Sequence, residues 1–281
     1  MFQASVPLTF INVPERNAGD SRLLRAAAAG WLVLALTGQM VFALYVAVFY
    51  GGAALAGAPE RWNVVLPRGW DATEPLANGV LALHLSLAVV LLLAGAMQLV
   101  PALRRARPAV HRWTGRVYLS AASVLAIGGL GLVWLRGGAA GDLSQHLAIS
   151  ANALIILGCA VLAWRAARAR SFDQHRRWAL RVFVAASGVW FFRVGLMAWI
   201  GLHGAPVGFD PKSFSGPFLT VLAWAVYVVV PLLVLEAYLR ARAGGSAAAV
   251  LAVSALLGVV TTVMAFGIVV ASIGMWGPRI Y

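Results

Sequence analysis

Residues 78–100 read NGVLALHLSLAVVLLLAGAMQLV, twenty-three consecutive positions without a charged side chain and with a single histidine, His84. About 20 apolar residues in a helix cross the 30 Å hydrocarbon core of a bilayer, so this run has the length and chemistry of a transmembrane helix. Six more runs of the same kind lie at 28–50, 112–135, 143–164, 179–201, 218–239 and 246–274. They account for a composition that is 62% hydrophobic and 11% charged over 281 residues. Soluble domains hold roughly 45–50% apolar and about 25% charged residues, so a soluble enzyme is excluded and no room is left for a large soluble domain. The expected fold is all-α: a polytopic membrane bundle of seven transmembrane helices. Residues 1–27 are expected to form a cytoplasmic or interfacial tail and 28–281 a single domain. Its core would be the four helices between about 78 and 201, made of two repeated hairpins.

The charge sorts by side. The net charge is +13, from 22 basic and 9 acidic residues. In a soluble protein this would suggest nucleic acid, but here the arginines sit between the apolar runs, where positive cytoplasmic loops hold topology. Sixteen fall on one side: Arg16, Arg22, Arg25, Arg104, Arg105, Arg107, Arg112, Arg116, Arg165, Arg168, Arg170, Arg176, Arg177, Arg181, Arg240 and Arg242. Five fall on the other: Arg61, Arg68, Arg136, Lys212 and Arg279. The bias predicts a multi-pass protein of the bacterial inner membrane, amino terminus cytoplasmic and carboxyl terminus outside, with no nucleic-acid partner. Cys159 is the single cysteine, which excludes an intrachain disulfide, a zinc-type cysteine cluster and haem attached through C-x-x-C-H. The outer segment 51–77, with Trp62, Trp70, Asp71 and Glu74, reads as an interfacial cap or as the roof of a binding site. In the last run Ser254 and Gly258 have the spacing of a close helix contact.

Four of the five histidines fall one to a span in spans two to five. His84 and His146 stand near the outer ends of spans two and four; His111 and His175 open spans three and five on the arginine-rich side. The second element of each hairpin begins alike, His111-Arg-Trp113 and His175-Arg-Arg-Trp178, 27 and 29 residues after His84 and His146. Hairpins repeated about an axis along the membrane normal would set His84 opposite His146 and His111 opposite His175. An imidazole in the bilayer is costly unless bonded or ligated, and opposed histidines suit a haem iron, which takes one on each axial face. One or two haem b groups are therefore the expected cofactor, with His84, His146, His111 and His175 as axial ligands. Gly79, Ala82, Gly95, Gly115 and Ala148 are candidates for porphyrin clearance. The bland alternative is that histidines near interfaces need no ligand, and that His-Arg is part of the topology signal.

The stretches His111-Arg-Trp-Thr-Gly115-Arg-Val-Tyr118 and His175-Arg-Arg-Trp-Ala-Leu-Arg181 resemble the two signatures of a bacterial family of integral membrane proteins known as a domain of unknown function. The resemblance covers roughly residues 75–200 and supplies no activity. The histidine layout is also similar to that of cytochrome b561, a six-helix di-haem electron carrier in which helices two and four share one haem and helices three and five the other. That resemblance implies the same two pairs. The seventh span, and inner histidines nearer the membrane edge, depart from it.

Arg193, about two turns inside the outer end of span five, needs a partner in the membrane. Asp142, a haem propionate and an anionic substrate are the candidates, against snorkelling to the headgroups. Gln39, Gln98, Asn152 and Ser187 read as interhelical hydrogen-bonders. The function these residues point to is a b-type haem membrane oxidoreductase moving electrons through bis-histidine haem, with a quinone or small molecule as donor or acceptor. The cluster Arg112, Arg116, Arg176, Arg177 and Arg181 would dock an anionic donor or lipid. Two other classes share the composition: a haem-free transporter or anionic-solute or lipid-binding protein, and a membrane scaffold or assembly partner.

Overall fold

Lipid offers no hydrogen bonds, so a chain this apolar must satisfy its backbone within each segment. The computed structural model, which describes residues 18–66, 68–135 and 141–280, does so with helices throughout. Helix α1 (Ala18–Tyr45) runs on through a π-helical turn (Val46–Gly51) into the short α2 (Gly52–Leu55). There follow α3 (Pro75–Gln98), α4 (Pro101–Ala106), α5 (Pro108–Leu135), α6 (Leu143–Arg168), α7 (Phe172–Ala186) and α8 (Gly188–His203). Helix α9 (Pro217–Trp224) continues through a second π turn (Ala225–Val229) into α10 (Val230–Gly244), and α11 (Ala247–Ala271) ends in a third (Ser272–Trp276). Six of these rods are long and apolar enough to cross a membrane, and α7 with α8 meets the same measure as a pair bent by 47°, which makes six to seven candidate spans among the described residues.

The starts are set locally. Proline stands in the first turn of α3, α4 and α9, where its missing N–H costs nothing. Asp142 caps α6 by accepting the Gln145 N–H (2.9 Å), and Ser246 caps α11 by accepting that of Ala249 (3.2 Å). The Gln145 amide, helped by the Thr220 hydroxyl, holds the Asp142 carboxyl below the usual carboxylate range. Helix begins at Ala18, so residues 18–27 of the expected tail are helical. Residues 1–17 (with Pro7, Pro14, Glu15 and Arg16), Pro67, 136–140 (with Arg136 and Gly137-Gly138) and Tyr281 lie outside the described residues.

Sequence periodicity reads span five as one helix, but the structure breaks it at Ser187-Gly188. A Ser/Gly pair is a recognised cause of a sharp kink, and the surroundings hold this one in place. The Ser187 hydroxyl donates to the Phe183 carbonyl (2.8 Å) and accepts from Gln39 Nε2 of α1 (3.0 Å). Asn152 of α6 donates to the Ala185 carbonyl (3.1 Å) and to Tyr227 (2.7 Å), whose residue lies in the π turn of span six. Two irregular backbone sites thus share one amide. Interhelical bonds of this kind are worth about 0.6 kcal/mol each in a membrane, so they fix geometry more than they add stability.

Two packed regions flank the site. Tyr118, Ala122, Ala126, Ala153, Ile156, Ala160, Val182 and Phe183 fill the middle of the bundle between α3, α5, α6 and α7. On the other side, Phe42, Tyr45, Phe49, Tyr50, Trp190 and Trp276 pack together, roofed by the segment after α2. There Trp62 is buried, with its indole N–H on the Tyr50 carbonyl (3.0 Å), and Asn63 donates to the Trp70 carbonyl (2.9 Å). The roof thus closes over an aromatic cluster drawn from α1, α8 and the π turns that follow α1 and α11. The close contact expected at Ser254 and Gly258 of α11 falls elsewhere. Nothing lies within 4 Å of a Cβ built on Gly258, whereas one on Gly267 would run into the Val194 carbonyl of α8.

Candidate functional site

Among the core helices, α3 packs on α5, α5 on α6 and α6 on α7, while α5 and α7 barely touch. Phe183 of α7 reaches to within 3.7 Å of a Cβ built on Gly95 of α3. The four thus pack in sequence order, and the helices that carry each expected histidine pair, α3 with α6 and α5 with α7, are not neighbours in that order.

His111 and His175 occupy the same place in the two hairpins. Each is the fourth residue of its helix, in α5 and α7, and each donates its backbone N–H to the residue four before it. They lie within electrostatic range of one another. His175 Nδ1 stands 2.9 Å from the Ala163 carbonyl oxygen of α6. A carbonyl can only accept, so Nδ1 carries the proton and Nε2 of the neutral ring holds a lone pair. A backbone carbonyl fixing one nitrogen while the other stays basic is how metal-bound histidines are oriented. His111 is positioned from the backbone, where Gln98 of α3 donates to its carbonyl (3.1 Å) and to the Thr114 hydroxyl. Its Nδ1 is enclosed and has no hydrogen-bond partner among the described residues. An unsatisfied buried donor or acceptor costs about 1–3 kcal/mol.

The outer pair differs. His84 is the tenth residue of α3 and His146 the fourth of α6, so the two hairpins do not match here. His84 lies over Gly128-Gly129 of α5: a Cβ on the first would come 3.8 Å from Nδ1, and one on the second 3.7 Å from Cε1. Its Nδ1 also lacks a partner among the described residues. His146 meets Trp134 of α5 edge-on, with ring centroids 6.2 Å apart. On α5 as a common ruler, Gly128-Gly129 and Trp134 are about 8 Å apart at 1.5 Å per residue. The two outer rings therefore contact α5 at different levels.

The expected clearance residues are largely used by protein. Gly95 faces the Tyr118 ring, Gly115 faces the Gln98 amide, and Ala148 is buried against Phe192 and Leu219. Ala82 packs on the aromatic cluster, while Gly79 opens onto free space. The small-residue face beside a histidine is Gly128-Gly129, against which the His84 ring packs; a Gly-Gly pair deep in a span is the sequence signal for it. Ala163 and Trp134 were also missed, since a carbonyl partner and a ring neighbour leave no mark in sequence.

Arg193 does not reach Asp142, whose carboxylate is spent on Gln145 and on the Thr220 hydroxyl (2.9 Å). Its guanidinium carbon lies 5.6 Å above the Phe42 ring, within electrostatic range of Tyr45 and Tyr227, and Nε is enclosed without a hydrogen-bond partner among the described residues. At the arginine-rich end Arg112, Arg116, Arg176 and Arg177 are exposed, and Arg116 lies over Trp113. Arg181 instead pairs with Glu236 of α10 (2.6 Å) and stacks on Trp178. His203 ends α8 exposed, bonded to the Trp199 carbonyl.

Among the described residues, no three His, Cys, Asp or Glu side chains gather into a metal-binding group. A porphyrin brings four nitrogens of its own and asks the protein for two, so it fits a donor set that comes in pairs. The middle of the core between α3, α5, α6 and α7 is filled by packed side chains.

Residues 81–239 match the family described as a predicted membrane protein, DUF2306. No curated protein and no solved structure matches the chain. The matched stretch runs from α3 into α10, takes in all four core histidines and covers more than half of the chain, so the protein belongs to the DUF2306 family of membrane proteins.

Proposed function

We propose that the protein is a b-type haem membrane oxidoreductase, resembling cytochrome b561 in its histidine layout. The observation that carries the proposal is the His111–His175 pair, with Nδ1 of His175 tied to Ala163 and Nδ1 of His111 enclosed and unpartnered. These two residues would hold a haem at the arginine-rich end, and His84 with His146 a second toward the other. A bound haem supplies one-electron redox chemistry. The chain would supply ligating imidazoles, with Arg193 as counter-charge for a propionate. Exposed Arg112, Arg116 and Arg177 would receive an anionic electron donor, with a quinone or small molecule as the exchanging partner. Protein purified from haem-replete membranes should show a Soret band, sharp α and β bands on reduction, and one or two haems per chain. A colourless protein that takes up no added haemin overturns the reading in favour of the transporter or scaffold classes.

The sixteen-to-five division of basic residues supports an amino terminus in the cytoplasm of a bacterial cell and a carboxyl terminus outside. Alkaline phosphatase fused after Tyr281 should be active. An inactive phosphatase fusion, paired with a fluorescent cytoplasmic reporter at the same position, would reverse the orientation.

A further inference from the structure

Arg193 of α8 stands where the irregular parts of the bundle meet. Its own helix starts five residues earlier, at the Ser187-Gly188 break. Tyr45, the residue before the π turn at 46–51, and Tyr227, inside the turn at 225–229, are both within electrostatic range of it. Trp276 closes the third π turn and shares the Phe42 ring with the arginine. Its ring centroid lies 5.4 Å from that of Phe42, and the Arg193 guanidinium carbon 5.6 Å from it. A π turn inside a helix is rare and falls frequently at a functional site. Here the three among the described residues surround one ionisable side chain.

The same place holds a second cation. Arg279, at the end of the chain's last turn (Gly277–Arg279), is also within electrostatic range of Tyr45 and donates to the Met275 carbonyl (2.7 Å). Both arginines are partly buried, and the Nε of each is enclosed without a hydrogen-bond partner among the described residues. Neither forms an ion pair among those residues. Trp190 and Trp276, 2% and 0% exposed, likewise keep indole N–H groups with no acceptor among them. The ionisable groups acting on Tyr45 are Tyr50 and the two arginines, with no carboxylate. A cation within a membrane bundle calls for a counter-charge, and enclosed donors call for an acceptor. Two guanidiniums and two indole N–H groups around one aromatic cluster are the complement of an anion.

We propose that Arg193 and Arg279 form a binding site for a carboxylate or phosphate group, bounded by Phe42, Tyr45 and Trp276 and roofed by the segment after α2. The planar guanidinium fork matches either oxyanion. A small solute and a lipid headgroup both carry that chemistry. The site goes beyond the haem reading and does not depend on it; it gives Arg193 to this anion in place of a propionate.

Tryptophan emission of the full-length chain in detergent, titrated with sodium acetate and with inorganic phosphate, tests it, with sodium chloride as the ionic-strength control. Because Trp190 and Trp276 belong to the cluster, acetate or phosphate should give a saturable change that chloride does not. R193Q and R279Q should each weaken that binding about tenfold or more, the usual worth of a hydrogen bond to a charged group. Without added anion, both variants should melt no lower than the wild type, since each removes a cation that lacks a counter-charge. Bound anion should raise the wild-type midpoint. Competition by dioleoyl phosphatidylglycerol but not by dioleoyl phosphatidylcholine would assign the group to a lipid head, and saturable acetate binding without such competition to a solute. The site is overturned if the wild type gives no saturable response, or if either variant binds as the wild type does. A lower midpoint in R193Q together with unchanged binding would make the arginine a packing residue. No readout needs haem, so failure here is distinguishable from failure of the redox reading.

Discussion

Protein carrying His175→Ala should lose one haem per chain entirely, and His111→Ala should lose that same haem. Bis-histidine ligation leaves the iron one protein ligand when either partner is removed, and the two variants should therefore look alike while the double variant adds nothing further. This non-additivity is what residues acting as a unit produce. The expectation is strongest for this pair because His175 is already oriented, with its proton committed to the Ala163 carbonyl. His84→Ala and His146→Ala should together define the other haem. Their contacts on α5 at Gly128-Gly129 and Trp134 are offset, so the outer site has the more demanding geometry. A quantitative haem assay with reduced spectra of the four single variants decides the matter. Full haem content in both His111→Ala and His175→Ala would sink the inner site. Loss in His84→Ala without loss in His146→Ala would break the outer pairing while leaving the inner one standing.

What the sequence reveals divides along physical lines. The run at 78–100 declares a span because bilayer thickness and apolar transfer act on any helix alike, wherever its neighbours lie. His111 and His175 are legible as equivalents because each is followed within three residues by arginine and tryptophan at a helix start, a local pattern that the fold preserves. His84 and His146 look equivalent by their spacing from those motifs, yet helical register inside each hairpin is set by packing, and their helices begin six residues apart relative to them. Small residues show the same limit. Gly95 and Gly115 read as room for a porphyrin, and the room is taken by Tyr118 and Gln98. Gly128-Gly129 lies against a histidine ring because α3 presents His84 there. The partner of Arg193 was sought among carboxylates, and the structure surrounds it with Phe42, Tyr45 and Tyr227 instead. Aromatic faces attract a guanidinium without leaving any charge pattern in the chain. The Ser187-Gly188 break was written in the residue types, but a hydropathy average passes over two small residues in an apolar run.

Within α11 the same substitution should act with opposite sign at two glycines. Gly267 lies where α11 crosses α8, and a methyl group there would meet the Val194 carbonyl and, at 2.8 Å, the Val194 side chain. Backbone cannot rotate aside as a side chain can, so Gly267→Ala must push the two helices apart along a contact that includes Gly201 against Val270. Overpacking of this kind costs about 1–3 kcal/mol, occasionally more. Gly258, two and a half turns earlier, faces open space and is exposed. There alanine adds no clash and relieves the entropic cost of glycine in a helix, a gain of about 0.5 kcal/mol. Denaturation in mixed micelles by increasing dodecyl sulfate, followed by tryptophan fluorescence, measures both. Gly267→Ala should shift the midpoint strongly downward and Gly258→Ala slightly upward. If Gly258→Ala is the damaging one, the last helix is rotated about its axis from the position described, and its contacts with α1 and α8 must be redrawn.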